Sequence, residues 1–84
     1  MSDQRATLRE LASFVQQRIN EDVRTAEAVG YERGLDYARR RLAMHAEFQA
    51  DIDERPWARG EVGNYLHREA RLYRDHPDFR EWWG

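Results

Sequence analysis

Ala26-Glu27-Ala28-Val29-Gly30-Tyr31-Glu32-Arg33-Gly34-Leu35 is the stretch on which the fold turns, because one regular apolar pattern runs into it and a second leaves it. Upstream, the repeating positions are Leu8, Ala12, Val15, Ile19, Asp22, Ala26 and Val29, alternately four and three residues apart, with Leu11, Phe14 and Val23 beside them. That alternation keeps one stripe on one helix face and predicts a helix over about 5–29. Downstream, Tyr31, Leu35, Ala38, Leu42, His45, Gln49 and Ile52 repeat the alternation, flanked by Tyr37, Met44 and Phe48, and predict a second helix over about 32–54. Gly30 and Gly34 can supply the positive φ that a helix C-terminus and a tight turn require. The expectation is an antiparallel helical hairpin, with a single kinked helix as the alternative for the same spacing.

Beyond the second stripe, Asp53-Glu54-Arg55-Pro56 stops the helix, since proline disfavours helical geometry at the residue before it. Val62, Leu66, Glu69/Ala70 and Tyr73 share a face and predict a third helix over about 61–74, weakened in its first turn by Gly63. In the ending Asp75-His76-Pro77-Asp78-Phe79-Arg80-Glu81-Trp82-Trp83-Gly84, Pro77 suits a first helical position. His76 suits a cap, and Asp78 and Glu81 place negative charge in the opening turns. A short terminal helix over about 77–83 follows, and the whole is one all-α domain. A helix of about 25 residues is about 37 Å long, while a compact chain of this size has a radius of gyration of about 12 Å. The hairpin therefore outruns the globule, and its exposed seam ends need covering by the C-terminal segment or by another chain.

Composition removes whole classes of chemistry. All 14 cations of the 84 residues are arginine, and there is no cysteine. Without lysine there is no P-loop cation or Schiff base, and without cysteine no thiol nucleophile, zinc ribbon or disulfide. The hydroxyls are confined to Ser2, Thr7, Ser13 and Thr25 besides the tyrosines. Ten aromatics argue for a folded chain. No run approaches the ~18 apolar residues of a membrane span, and the first residues lack the apolar core of a signal peptide. The expectation is a cytoplasmic binding or interaction protein, not an enzyme, with no cofactor, no metal and no membrane.

The candidate sites are weighed by spacing. His45 falls on the second seam near the level at which Asp22 interrupts the first, so a buried His-Asp or Arg-Asp pair acting as a register-setting polar layer is expected. The residues three before His45, His67 and His76 are Leu42, Asn64 and Tyr73, so neither helical metal motif, His-x-x-x-His or Glu-x-x-His, is present. Arg39, Arg40 and Arg41 are consecutive and, at about 100° per residue, cannot form one face; Arg40 can pair with Asp36. Arg39, Arg40, Arg68 and Arg71 are the candidate nucleic-acid contacts, against an overall charge of −2 that weakens phosphate binding.

Six of the ten aromatics lie in the last 28 residues. Adjacent Trp82 and Trp83 cannot both point inward; either one is in the core and the other is free as an interface anchor, or both wrap around a small core as lids. The candidate protein-contact residues are Trp82, Trp83, Phe79, Arg80 and Tyr73.

The segment Ile19-Asn20-Glu21-Asp22, the run Arg39 to His45, and above all the ending Leu72-Tyr73-Arg74-Asp75-His76-Pro77-Asp78-Phe79-Arg80-Glu81-Trp82 resemble a family of small actinobacterial and actinophage proteins classed as a domain of unknown function. The resemblance covers roughly Leu8 to Trp83. It implies a bacterial or phage-infected cell and assigns no activity. Cysteines that many such proteins carry before the third helix are missing here. The function expected is a protein-interaction or regulatory module that self-associates, with nucleic-acid association as the alternative.

Overall fold

The computed structural model describes residues 4–83, and within them every regular element is helical. Helix α1 runs Gln4–Val29, α2 runs Glu32–Glu54, a 3-10 turn at Pro56–Ala58 leads into α3, Arg59–Arg71, and a last 3-10 turn spans Glu81–Trp83. Among the described residues no helix is long and apolar enough to cross a membrane. The α1–α2 pair is the expected hairpin, and it sets the shape, 45 × 27 × 14 Å with a radius of gyration of 13.4 Å.

The hairpin turns where the two stripes meet. Gly30 has φ +69°, its N–H donates to the Glu27 carbonyl at 3.2 Å, and the Tyr31 N–H donates to the Ala26 carbonyl at 3.0 Å. Those two bonds are the Schellman closure, which satisfies the last carbonyls of α1 and needs a residue without a Cβ at its left-handed position. Gly34 acts differently from expectation: its φ is not positive. A Cβ there would lie 2.5 Å from the Tyr31 ring, so the glycine makes room for the aromatic side chain that folds over the start of α2.

α3 packs across the open end of the hairpin. Leu11, Val15 and Ile19 of α1, Ile52 of α2, and Val62 and Leu66 of α3 are fully buried, and Ala70 and Trp83 complete the same cluster. Each such aliphatic side chain contributes about 1.5–3 kcal/mol of burial. Towards the turn the seam narrows to Ala26 and Ala38, and Val29, Tyr31 and Tyr37 are left exposed. The two-layer core therefore ends before the hairpin does.

Two boundaries differ from the sequence expectation. α3 starts at Arg59, because the 3-10 turn begun by Pro56 passes directly into it, and ends at Arg71 instead of 74. After Arg71 the bonds shorten to three-residue steps, Leu72 to Glu69, Tyr73 to Ala70 and Arg74 to Arg71, which swings Tyr73 back towards α1 and α2. The terminal helix over 77–83 is reduced to Glu81–Trp83. The Asp78 N–H donates to His76 Nδ1 at 3.0 Å, the bond of a helix cap, but no helix propagates from it, and Phe79 and Trp83 turn to Phe14 instead.

Candidate functional site

Three polar and aromatic constellations stand out, and the first is a node where α1, α2 and α3 meet. Arg41 of α2 contacts Asp22 of α1 at 3.1 Å and Glu69 of α3 at 2.8 Å, and donates to the Tyr73 hydroxyl at 2.9 Å. Tyr73 in turn donates to Asp22 at 2.7 Å. The Arg41 guanidinium carbon also lies 5.9 Å from the ring centroids of both Tyr37 and Tyr73, within cation–π range. Burial by itself would lower the Arg41 pKa, but the bonds to Tyr73 and Glu69 outweigh it and hold the group above its ordinary value. Burial, reinforced by the bond to Asp22, pushes Tyr73 up to about 12. The node carries a fixed charge and a fixed phenol, which suits it to holding three helices in register and unsuits it to proton transfer.

His45 forms a second, fully buried joint and does not pair with Asp22. Its Nε2–H donates to the Ala12 carbonyl at 3.0 Å, and its Nδ1 accepts from the Tyr65 hydroxyl at 3.1 Å. A carbonyl can only accept, so these contacts define one neutral tautomer. Burial pushes the His45 pKa down, and burial pushes Tyr65 up to about 12. Of the two pairings left open by the sequence, the Arg-Asp one is present, at Arg41, because His45 sits deeper in the bundle and faces the Ala12 backbone. Both residues contribute to interhelical polar joints, but to separate ones.

The third constellation fastens the C-terminal segment to α1. Phe14 is its hub, with ring centroids of Trp83 at 4.9 Å, His76 at 5.9 Å, Phe79 at 6.0 Å and Tyr73 at 6.4 Å. Beside it Arg18, a buried cation, meets Glu21 at 3.0 Å and Asp78 at 3.4 Å, and its Nη1 lies within 2.8 Å of both His76 ring nitrogens. Its guanidinium also rests 5.1 Å from the Phe14 ring centroid. Arg18 Nε and Trp83 Nε1 are buried without a hydrogen-bond partner among the described residues. His67 Nδ1–H donates to the Trp83 carbonyl at 3.1 Å and so ties the last turn to α3. His76 is thus more than a helix cap: it is the polar half of this fastening.

The candidate contact residues divide accordingly. Trp83 is 3% exposed, and Phe79 and Tyr73 are half-buried and turned to Phe14, so these three belong to the interior. Trp82 is 68% exposed, and Arg80 lies 5.6 Å from its ring and 3.8 Å from Glu10. Of the candidate nucleic-acid arginines, Arg39 lies 3.9 Å from Glu27 and Arg40 2.9 Å from Asp36. Arg68 and Arg71 occupy the last turn of α3, where cations complement the helix dipole, and have no ion pair among the described residues. No group of three metal-ligating side chains occurs among the described residues.

Arg18 was not singled out by its sequence position, although it follows Phe14 by four residues and Val15 by three and so falls on the buried side of α1. Compared with family models, with curated proteins and with solved structures, the chain matches none of them.

Proposed function

We propose that the chain is a small non-enzymatic protein-interaction or regulatory module that self-associates and acts on another protein inside an actinobacterial or phage-infected cell. The observation that carries the reading is the division of Trp82-Trp83: one ring closes the core, and its neighbour stands in solvent. Trp and Arg are the side chains most enriched among residues that dominate binding energy, and Arg80 lies close enough to the Trp82 ring to hold it before any partner arrives. A second exposed apolar group, Val29, Tyr31 and Tyr37, lies at the hairpin turn beyond the reach of α3 and supports self-association. The cellular setting is supported by the Asp75 to Trp82 ending. Light scattering of the purified chain tests the reading: the native protein exceeds monomer mass, and Trp82→Ala or Tyr37→Ser lowers it with helicity retained. A native chain that stays monomeric and binds no cell protein overturns it.

Arg68 and Arg71 favour one alternative, nucleic-acid association, because no described acidic group neutralises them. A salt titration decides it, since phosphate contacts give affinity that falls steeply with salt. Absence of DNA or RNA binding at low salt removes this alternative.

A further inference from the structure

Among the described residues, Arg18, Arg41 and Arg59 are the arginines withdrawn from solvent. Arg18 meets Glu21 and Asp78, and Arg41 meets Asp22 and Glu69. Arg59 meets no carboxylate among the described residues; its Nε donates to the Ile52 carbonyl at 3.0 Å, capping the end of α2. That bond orients the guanidinium and leaves its Nη donors without a described acceptor. Those Nη atoms are not among the buried atoms that lack a partner, so they stand open to solvent and are available to a ligand. The planar donor fork matches a carboxylate or a phosphate.

Arg59 lines a surface groove of about 290 Å³ between α3 and the start of α1. α3 presents Gly60, Gly63, Asn64 and His67 to it, Thr7 faces them, and Leu8 lies beneath. The glycines are informative because the fold does not require them. Neither has positive φ; a Cβ at Gly60 would meet nothing within 4 Å, and one at Gly63 would make ordinary contact with Leu8 at 3.6 Å. Glycine weakens a helix relative to alanine, so two bare positions beside the Arg59 guanidinium are a departure from helix preference that leaves a ligand room to approach the backbone closely.

We propose that this groove binds a small oxyanion, a carboxylate or phosphate, gripped by Arg59 and seated against Gly60 and Gly63. The Asn64 amide and the Thr7 hydroxyl supply further hydrogen bonds. His67 walls one side and, through its bond to the Trp83 carbonyl, joins the groove to the C-terminal fastening.

The test is a titration of the ¹⁵N-labelled full chain with inorganic phosphate and, separately, with succinate, at constant ionic strength. Saturable shifts at Gly60, Gly63, Asn64 and the Arg59 Nε–H are expected, with a Kd of about 1 mM or tighter, and the tighter anion identifies the source of the oxyanion. Gly60→Ala leaves the melting temperature unchanged or raised and weakens binding at least about tenfold. Arg59→Gln abolishes saturation, whereas Arg68→Gln does not. The proposal is overturned if neither anion saturates these resonances, or if Gly60→Ala and Arg59→Gln bind as the native chain does.

Discussion

The Tyr73 hydroxyl donates to Asp22 at 2.7 Å across 51 residues of sequence and accepts from Arg41 at 2.9 Å. One phenol thereby links the segment after α3 to both arms of the hairpin, and its two bonds have complementary polarity, so the node has no frustrated donor.

Tyr73→Phe keeps the ring against Phe14 and deletes only the hydroxyl. Both lost bonds involve a charged partner but lie in a half-buried site, so a loss of about 1–2 kcal/mol is expected, or roughly 4–8 °C in Tm per kcal/mol for a domain of this size. Arg41→Met costs more, about 3 kcal/mol, because Glu69, only 14% exposed, is left without its cation. Asp22, at 43% exposed, can rehydrate, so Asp22→Ala costs about 1 kcal/mol. Urea denaturation of the three variants checks the order. Asp22→Ala with unchanged Tm and oligomeric state sinks the register-setting role.

The hairpin was legible because its evidence is local: two stripes in phase, and a glycine where the first of them ends. The third helix was legible for the same reason. What the sequence did not disclose are relationships fixed by tertiary geometry. The acceptor for His45 is the Ala12 carbonyl, and a backbone atom leaves no trace in residue identity. The terminal helix was expected from Pro77, Asp78 and Glu81, signals that concern only neighbours in the chain. The attraction of Phe79 and Trp83 to Phe14 prevails over them. Gly34 shows the same limit from the other side, since its reason for being glycine is a ring and not a φ value.

The two turn glycines give distinguishable outcomes. Gly30→Ala forces a Cβ into the left-handed region and costs about 1–2 kcal/mol whatever surrounds it. Gly34→Ala costs stability only through the Tyr31 ring, so in a Tyr31→Ala background the same substitution becomes neutral or stabilising by about 0.5–1 kcal/mol. A double-mutant cycle on residues 31 and 34 measures this directly. Additive effects contradict the packing explanation.

Acid stability has a specific sign. Burial lowers the His45 pKa from its ordinary 6.5, so the unfolded chain binds this proton more readily than the folded one. The stability His45 contributes is full above pH 6.5 and declines as pH falls below it, until the lowered folded-state pKa is passed. Asp53 adds a separate step at lower pH. Its hydrogen bond to Arg9, with that to Arg5, holds it below its ordinary 3.8, so its contribution is lost only as pH falls under that value. Unfolding free energy measured against pH is expected to fall on acidification first with the His45 step. In His45→Gln the decline below pH 6.5 flattens, while the Asp53 step persists.

The adjacent tryptophans provide the sharpest separation of stability from association. Trp83→Ala empties a site bounded by Phe14 and Phe79 and unseats the carbonyl that His67 bonds. Truncating a buried aromatic costs about 3–5 kcal/mol, while a domain of this length has about 4–13 kcal/mol in total. Partial or complete loss of cooperative unfolding is therefore expected. Trp82→Ala removes an exposed ring whose described ring contact is Arg80, so stability changes by no more than about 0.5 kcal/mol. Its effect is expected in light scattering or partner capture instead. The comparison is informative because the residues are neighbours in sequence with identical side chains, so the difference between them lies in burial and in the contacts that come with it. If Trp82→Ala melts as early as Trp83→Ala, the exposed ring is part of the core's support and cannot be an anchor held ready for a partner.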